Sequence, residues 1–209
     1  MINPPIPKKK KVILESHGDI RTDNYYWLRD DQRNDKDVLD YLRKENNYTK
    51  YWYKENKVNS KNIFQYYKNS LPKFEEGFKT KLDGYEYYST ASINQEYRKY
   101  YRIFKKEKIL ILDVNKLAKK KKFYDISSLQ PSRNHKFIAY GEDTKGRREF
   151  SIVVKDVKKN KILEKNSCSS TGNIIWNLNS KGYFYLKKDP ITLTTNSLFY
   201  HSLGTNKDL

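Results

Sequence analysis

The chain has 209 residues, enough for one large domain or two small ones. Aromatic residues make up 15% of it, which excludes disorder throughout even though the mean hydropathy is -1.00. The net charge of +18 comes from 34 lysines and only 9 arginines spread along the chain, which favours a solvated lysine surface over a phosphate-binding patch.

Residues 1–16 are predicted to form an extended arm, because the prolines among them exclude a helix. The next segment, 17–31, is rich in aspartate, arginine and aromatic residues. Its carboxylates suggest either an acid–base or metal cluster, or ion pairs, Asx-turns and a helix cap; the turn-rich context favours the second. We expect this segment to dock onto another domain. The charged side chains concerned are Asp19, Asp23, Asp30 and Asp31, with Arg21, Arg29 and Arg33 as partners.

Two helices are predicted after this segment. Apolar residues four and seven positions apart predict an amphipathic helix that starts near residue 35, with a potential break at residues 46–47. A second helix is expected over roughly 57–70, ended by Leu71-Pro72. The candidate caps of the first helix are Asn34, Asp35 and Asp37.

From Phe74 onward, short aromatic and β-branched runs between turn residues predict strands. The lysine run 119–122 is expected to be an exposed loop between two of them. The predicted strands are 85–88, 97–104, 109–112, 137–140, 151–157, 174–178, 183–186 and 198–203. The turns between them are Asp83-Gly84, Lys145-Gly146, Lys159-Asn160 and Lys181-Gly182.

The strands repeat along the chain. Tyr88, Tyr140 and Tyr185 end three similar strands and are separated by 52 and 45 positions. A period of roughly 40–50 residues with about four strands is typical of a β-propeller, which needs at least roughly four blades to close. The predicted fold class is therefore mainly β with N-terminal α-helices: an N-terminal arm with helices over 1–72, then about three four-stranded blades of an incomplete propeller over 73–209.

The sequence carries no pattern of a nucleophilic active site. It has no Gly-x-Ser-x-Gly elbow, and Ser169-Ser170-Thr171-Gly172 lacks the flanking glycines. The three histidines have no serine or cysteine partner at a motif spacing, and their separations do not suggest a metal site. We therefore assign no catalytic, cofactor-binding or metal-binding residue. The residues considered and interpreted as structural are His17, His135, His201 and Cys168.

The single cysteine excludes an internal disulfide, which fits a reducing compartment. No apolar run approaches the length of a membrane span, and residues 1–12 lack the apolar core of a secretory signal. We expect a cytoplasmic protein with no membrane partner and no cofactor.

Two other functions stay open from the residues alone. The stretch 97–102, Tyr-Arg-Lys-Tyr-Tyr-Arg, could stack single-stranded RNA bases, although strand alternation explains it more simply. A partial propeller could also serve as a protein-interaction module, which needs a closed ring or self-assembly of partial rings. We expect no specific nucleic-acid partner.

Several motifs resemble those of one enzyme family. Pro4-Pro5, His17-Gly18-Asp19, Asp23–Asp31 and Val38–Leu42 together resemble the N-terminus of the oligopeptidase B (protease II) group in the prolyl oligopeptidase family of serine peptidases. The likeness runs colinearly along essentially the whole chain. Its downstream parts are Leu112–Ala118, Gln130–Tyr140 and Asp189–Thr205.

The resemblance implies an enzyme in which a seven-bladed propeller covers a C-terminal α/β-hydrolase domain. It also implies that the N-terminal arm and helices, residues 1–72, would pack on that domain. That domain would carry the Ser, Asp and His of the catalytic triad and the oxyanion hole, and the enzyme would cleave short peptides after Lys or Arg. No position of this chain matches those residues, so we expect it to be inactive alone. Its expected partner is the missing hydrolase domain, in cis or as a separate chain. The chain itself would be either the product of a gene remnant or half of a split gene.

Overall fold

The computed structural model describes residues 3–206 and 208–209. The chain divides into two compact units, Met1–Ser70 and Leu71–Leu209. It is mainly β with few helices, as predicted. In the described part of the chain, no helix combines the length and the apolar character needed to cross a membrane.

The first unit holds a β-hairpin followed by helices. The hairpin was not predicted: its two strands pair antiparallel around the turn His17-Gly18, where both residues have positive φ (52° and 80°). The long helix continues through Asn46-Asn47, so the potential break is wrong, and Asp35 caps its start by accepting the N–H groups of Asp37 and Val38. The elements are β1 (Val12–Ser16), β2 (Asp19–Asp23), a 3-10 turn (Tyr26–Leu28), α1 (Lys36–Glu55) and α2 (Ser60–Ser70).

The second unit holds two antiparallel sheets, neither of them closed. The five-stranded sheet is ordered β3-β5-β6-β7, with β4 also on β5; the seven-stranded sheet is ordered β14-β13-β12-β11-β10-β8, with β9 also on β10. Their elements are β3 (Phe74–Glu76), β4 (Thr80–Leu82), β5 (Tyr85–Ser92), β6 (Lys99–Phe104), β7 (Glu107–Asp113), α3 (Val114–Ala118), β8 (Asp125–Ile126), β9 (Gln130–Pro131), β10 (Phe137–Asp143), β11 (Phe150–Asp156), β12 (Lys161–Trp176), β13 (Gly182–Lys188) and β14 (Thr195–Ser202).

The strand β12 joins the two halves of the larger sheet. It is 16 residues long, pairs with β11 through its first part and with β13 through its last, and its register with β13 shifts between Ser170 and Ile174. Only the end of it, from Ile174, was predicted as a strand. The shift lets one strand serve two sheet halves that face each other.

Strand alternation places the core on both faces of β10 and β11. Ile138, Tyr140 and Val153 face the five-stranded sheet and pack with Ile111 and Leu112. The intervening residues point the other way, against the β12–β13 half. This second cluster comprises Ala139, Ile152, Val154, Ile174, Trp176, Tyr183 and Tyr185. The middle strands are therefore buried on both faces, so each sheet segment is stabilised by its neighbours.

The repeated tyrosines point the same way in each repeat. Tyr140 faces the sheet before it and Tyr185 faces the β10–β11 half before it. Tyr88 has no sheet before it in the second unit; instead the amines of Lys79 and Lys108 lie 5.3 and 5.2 Å from its ring centroid and its exposure is 6%.

Candidate functional site

The acidic segment 17–31 forms caps and turns, as predicted. Asp23 accepts the N–H of Tyr25 at 2.8 Å, an Asx-turn that ends the hairpin. Asp30 accepts the N–H of Asp35 at 2.7 Å, and Arg29 pairs with Asp31 at 3.1 Å. These carboxylates are thus occupied by local backbone and side-chain donors. Among the described residues, no group of three or more His, Cys, Asp or Glu is placed to hold a metal ion.

One aromatic side chain ties the arm to this segment. Trp27 donates its indole N–H to the carbonyl of Lys8 at 2.8 Å, and the Lys10 amine lies 4.9 Å from the Trp27 ring centroid. The same amine contacts Asp37 in the first turn of α1 at 2.9 Å. This hydrogen bond and the lysine charge hold the pKa of Asp37 below its ordinary value. The contacts order the arm along the start of α1.

The first unit exposes most of its apolar side chains. Val38 is the one buried hydrophobic residue among those described in it. On α2, Phe64 is 67% exposed and Tyr67 is also 67% exposed, and α2 has no buried residue. The other exposed apolar residues of the unit include Ile6, Ile13, Ile20, Leu42, Trp52, Tyr53, Ile63 and Tyr66. Large exposed apolar patches are typical of surfaces that contact another domain or protein.

The resemblance implies that the arm and helices of residues 1–72 pack on a hydrolase domain, but the residues alone predicted docking only for 17–31 and did not single out the exposed apolar side of α2. The helical period of α2 is clear in the sequence, but an apolar stripe on a helix is usually covered by the helix's own domain. Aromatic content could have distinguished a stripe covered by its own domain from one left exposed for docking. Phe64, Tyr66 and Tyr67 follow one another closely on a helix of only 11 residues.

The three histidines have different surroundings in the structure. His17 occupies the exposed hairpin turn. His135 is buried, its Nδ1 2.8 Å from the Tyr87 hydroxyl and its ring stacked 4.1 Å from the Tyr85 ring. His201 is buried between Glu164 and Asp208. These phenol and carboxylate groups neither act as nucleophiles on peptides nor form a triad with the histidine rings.

The segment 169–172 and Cys168 have structural partners. Ser170 is buried and donates to the carbonyl of Phe150 at 2.8 Å, while Ser169 donates to Glu149 at 3.1 Å. Burial raises the pKa of the Cys168 thiol, which keeps it protonated and weakly nucleophilic.

The tyrosines and arginines of 97–102 make contacts with other side chains and backbone groups of the second unit. Tyr97 packs edge-on against Tyr124, and burial raises the pKa of Tyr100. Arg102 donates to the carbonyl of His135 and lies 4.9 Å from the ring centroid of Tyr85. The lysines of the run 119–122 are exposed, as predicted, although the Lys121 amine contacts Glu142 at 2.6 Å.

Side-chain hydrogen bonds connect residues about one repeat apart. Trp176 donates its indole N–H to the carbonyl of Gln130 at 3.1 Å across 46 positions, and Ser127 donates to the carbonyl of Gly172 at 2.7 Å across 45. The Lys155 amine reaches the carbonyl of Ile111 across 44 positions. The separations match the sequence period, so the repeats are stacked as successive units.

Comparison with known proteins agrees with this arrangement. The family model described as "Prolyl oligopeptidase, N-terminal beta-propeller domain" matches residues 4–209. The chain is 29% identical to dipeptidyl aminopeptidase BI of Pseudoxanthomonas mexicana over 97% of its own length and 30% of the relative's. It is 28% identical to Protease 2 of Moraxella lacunata over 76% of its own length and 24% of the relative's.

Solved structures show the same likeness. Oligopeptidase B from Leishmania major superimposes with a TM-score of 0.86 at 25% identity, over 99% of this chain and 32% of that one. The chain therefore spans about a third or less of the length of the relatives it matches. It belongs to the prolyl oligopeptidase family of serine peptidases, and corresponds to the N-terminal β-propeller part of these enzymes.

Proposed function

We propose that the chain is the N-terminal portion of an oligopeptidase-B-like serine endopeptidase that cleaves short peptides after Lys or Arg. The observation that carries this proposal is the colinear family match over residues 4–209. The exposed apolar surface of the first unit supports it, since an α/β-hydrolase domain in the same or a separate chain would cover that surface. The catalytic serine, its base and the oxyanion hole would come from that domain.

The second unit is proposed to be about three blades of a seven-bladed propeller. The five-stranded sheet supplies the first blade. The strands β8 to β11 with the first part of β12 supply the second, and the last part of β12 with β13 and β14 supplies the third. The positive-φ turn residues Asp83, His135 and Ser180 each stand two positions before the strand that follows them, which supports the same division.

The 209-residue chain alone is expected to be catalytically silent. Acyl transfer at a useful rate needs a nucleophile with an adjacent base and an oxyanion hole, and the buried histidines contact phenols and carboxylates instead. The measurement is hydrolysis of an N-blocked arginine amide by the purified chain, before and after mixing with a polypeptide that carries the rest of Protease 2. Turnover appearing only in the mixture supports the proposal; inhibitor-sensitive turnover by the chain alone contradicts it.

Substrate preference is a separate question, because the relatives bear different names. Dipeptidyl aminopeptidase BI, by its name, releases dipeptides, which would require a free substrate amino terminus. The endopeptidase proposal predicts equal cleavage of N-blocked and free arginine peptides by the reconstituted enzyme. Loss of cleavage on blocking the amine would favour the aminopeptidase activity.

Docking of the first unit is tested by deletion. Removing the residues equivalent to 1–33 from an intact oligopeptidase B is expected to lower its unfolding midpoint by several degrees, because the apolar cover of the hydrolase domain is lost. An unchanged midpoint in differential scanning calorimetry would rule out this docking role.

A stand-alone interaction module is the second candidate. The β13–β14 side of the second unit leaves Leu186 42% and Leu198 65% exposed, an apolar surface that a further sheet would cover. A gel-filtration mass equal to one chain would disfavour self-assembly through it. RNA binding is less favoured, since the aromatic rings of 97–102 that could stack on bases pack within the fold.

A further inference from the structure

Five turns lie together at one end of the second unit. Asp83 Oδ2, in the turn between β4 and β5, is 3.4 Å from His135 Nε2 in the turn between β9 and β10. Asn134, beside His135, donates its N–H to the Ser180 hydroxyl in the turn between β12 and β13 at 3.1 Å. Antiparallel pairing brings the β6–β7 and β11–β12 turns to the same end. We call this the basic end; it comprises residues 83–84, 105–106, 132–136, 157–160 and 177–181.

The basic end carries seven cations against a single carboxylate, that of Asp83. All seven cations are exposed, and within the described part of the chain none of them forms an ion pair with a carboxylate. Their charges are therefore available to a partner. They are Lys105, Lys106, Arg133, Lys136, Lys158, Lys159 and Lys181.

A cavity of about 270 Å³ opens beside these turns. Arg133 of the basic end lines it, together with residues on the strands that lead into the turns. Small-molecule sites span roughly 300–1,000 Å³, so this cavity suits a single apolar side chain better than a whole small molecule. Ile175 is 72% exposed and leaves part of the lining uncovered. The apolar lining residues include Leu82, Pro131, Ile175 and Trp176.

The opposite end of the second unit is basic as well, but the cavity there has a different lining. Lys119 and Lys120 are among the exposed turn residues of that end. Two carboxylates, Glu142 and Glu149, line its cavity together with serine hydroxyls. An acidic partner would meet like charges in that cavity. The combination of unpaired cations with an apolar cavity is thus a property of the basic end.

This combination favours an acidic peptide over a phosphate polymer. Six of the seven cations are lysines, which lack the planar fork that suits phosphate. A nucleic-acid base would need an aromatic face for stacking, but the Trp176 ring already contacts Phe137 and Tyr183. An acidic peptide supplies both carboxylates for the cations and an apolar side chain for the cavity.

We propose that the basic end binds an acidic peptide segment of another protein, with one apolar side chain in the cavity and a neighbouring carboxylate on Arg133. The guanidinium of Arg133 borders the cavity and presents its N–H donors in a fixed fork, so it holds the carboxylate that flanks the apolar anchor. The exposed lysines of the turns contact carboxylates further along the peptide and add an attraction that salt screens. This inference concerns the second unit alone and is independent of the proposed peptidase function.

The test is a fluorescence-anisotropy titration of the 209-residue chain with labelled decapeptides. The probe has one central leucine flanked on both sides by aspartates and glutamates. We expect it to bind at low salt, with an affinity that falls as the salt concentration rises. Replacing the leucine by serine should weaken binding at least about fivefold, because the apolar anchor is lost. Replacing the acidic residues by asparagine and glutamine should abolish binding.

Charge variants locate the binding site on the chain. Arg133→Gln should weaken binding of the probe at least about tenfold, because a charge-assisted contact beside the anchor is lost. The double variant Lys158→Glu/Lys159→Glu should also weaken it. The matched double variant Lys119→Glu/Lys120→Glu makes the same change in net charge at the opposite end and should have little effect. Circular dichroism shows whether each variant is folded.

Three results would overturn the proposal. The first is equal weakening by the two double variants, which would indicate attraction to net charge alone. The second is equal binding of the leucine and serine peptides. The third is failure of the acidic probe to bind; binding of polyuridylate or inorganic polyphosphate in its place would assign the basic end to phosphate polymers. The peptide and polymer comparisons use the unaltered chain, so they decide even if a variant does not fold.

Discussion

Replacing Gly172 by alanine is expected to lower the free energy of unfolding by about 2–5 kcal/mol. Gly172 lies in β12 with φ of +82°, a conformation that costs an L-residue energy. A Cβ at this position would also stand 2.7 Å from Ser127 Cβ and 2.8 Å from Phe150 Cγ. These contacts come from Ser127, which follows β8, and from Phe150 on β11, at the crossing where Gly172 also lies close to Gly141 of β10. Neither Ser127 Cβ nor Phe150 Cγ is the flexible end of a side chain, so neither can easily give way. Urea unfolding followed by tryptophan fluorescence measures the loss.

Gly204→Ala is the matched control. Gly204 has a similar φ of +77°, but no atom lies within 4 Å of its added Cβ. Only the conformational cost of about 1–2 kcal/mol should remain there. Equal losses for the two variants would show that backbone conformation, rather than close packing at the crossing, sets the role of Gly172.

Trp176→Ala is expected to cost about 3–5 kcal/mol of unfolding free energy. Trp176 is 7% exposed, packs edge-on against Tyr183 with ring centroids 5.9 Å apart, and donates to the carbonyl of Gln130. Truncation therefore opens a cavity between two sheet segments and leaves that carbonyl without its donor. Chemical denaturation followed by circular dichroism gives the change.

The neighbouring residue provides the comparison for this variant. Ile175 is 72% exposed on the opposite face of β12, so Ile175→Ala should change stability by no more than about 0.5 kcal/mol. If Ile175→Ala cost as much as Trp176→Ala, the assignment of inward and outward faces on β12 would be wrong.

The repeated strands were predictable because burial between neighbouring sheet segments determines both their sequence pattern and their packing. Each strand must bury residues on both faces between neighbouring sheet segments, which requires aromatic and β-branched residues at recurring positions. Tyr140 and Tyr185 therefore stand out in the sequence and lie in the core. Helix α1 was predictable for a similar reason, since its apolar period and Asp35 cap are local signals.

Other elements lacked such signals. Most of β12 consists of small polar and charged residues, and it is a strand because β11 and β13 supply backbone partners on either side. The turn of the β1–β2 hairpin requires a positive φ at His17. A non-glycine residue rarely adopts such a φ, so the sequence does not indicate it. Helix α1 passes Asn46-Asn47 because a helix of 20 residues tolerates two residues of modest propensity.

The contacts of His201 with Glu164 and Asp208 could not have been predicted from the sequence. Glu164, His201 and Asp208 come from β12, β14 and the residues after it, and only sheet pairing brings them together. The motif spacings left His201 without a serine or metal partner, and they contained no indication of two carboxylates. Charged partners far apart in sequence become visible only when strand register is known.

The hydrogen bonds that span 44 to 46 residues also determine how long after one partner its counterpart is synthesised. At about 5–20 residues per second, a ribosome delivers one such interval in about 2–10 s. Each sheet segment therefore emerges when the surface it packs against has already been made. The polypeptide can grow as a stack in the order of translation, and the unprotected apolar surface at any moment belongs to the newest layer.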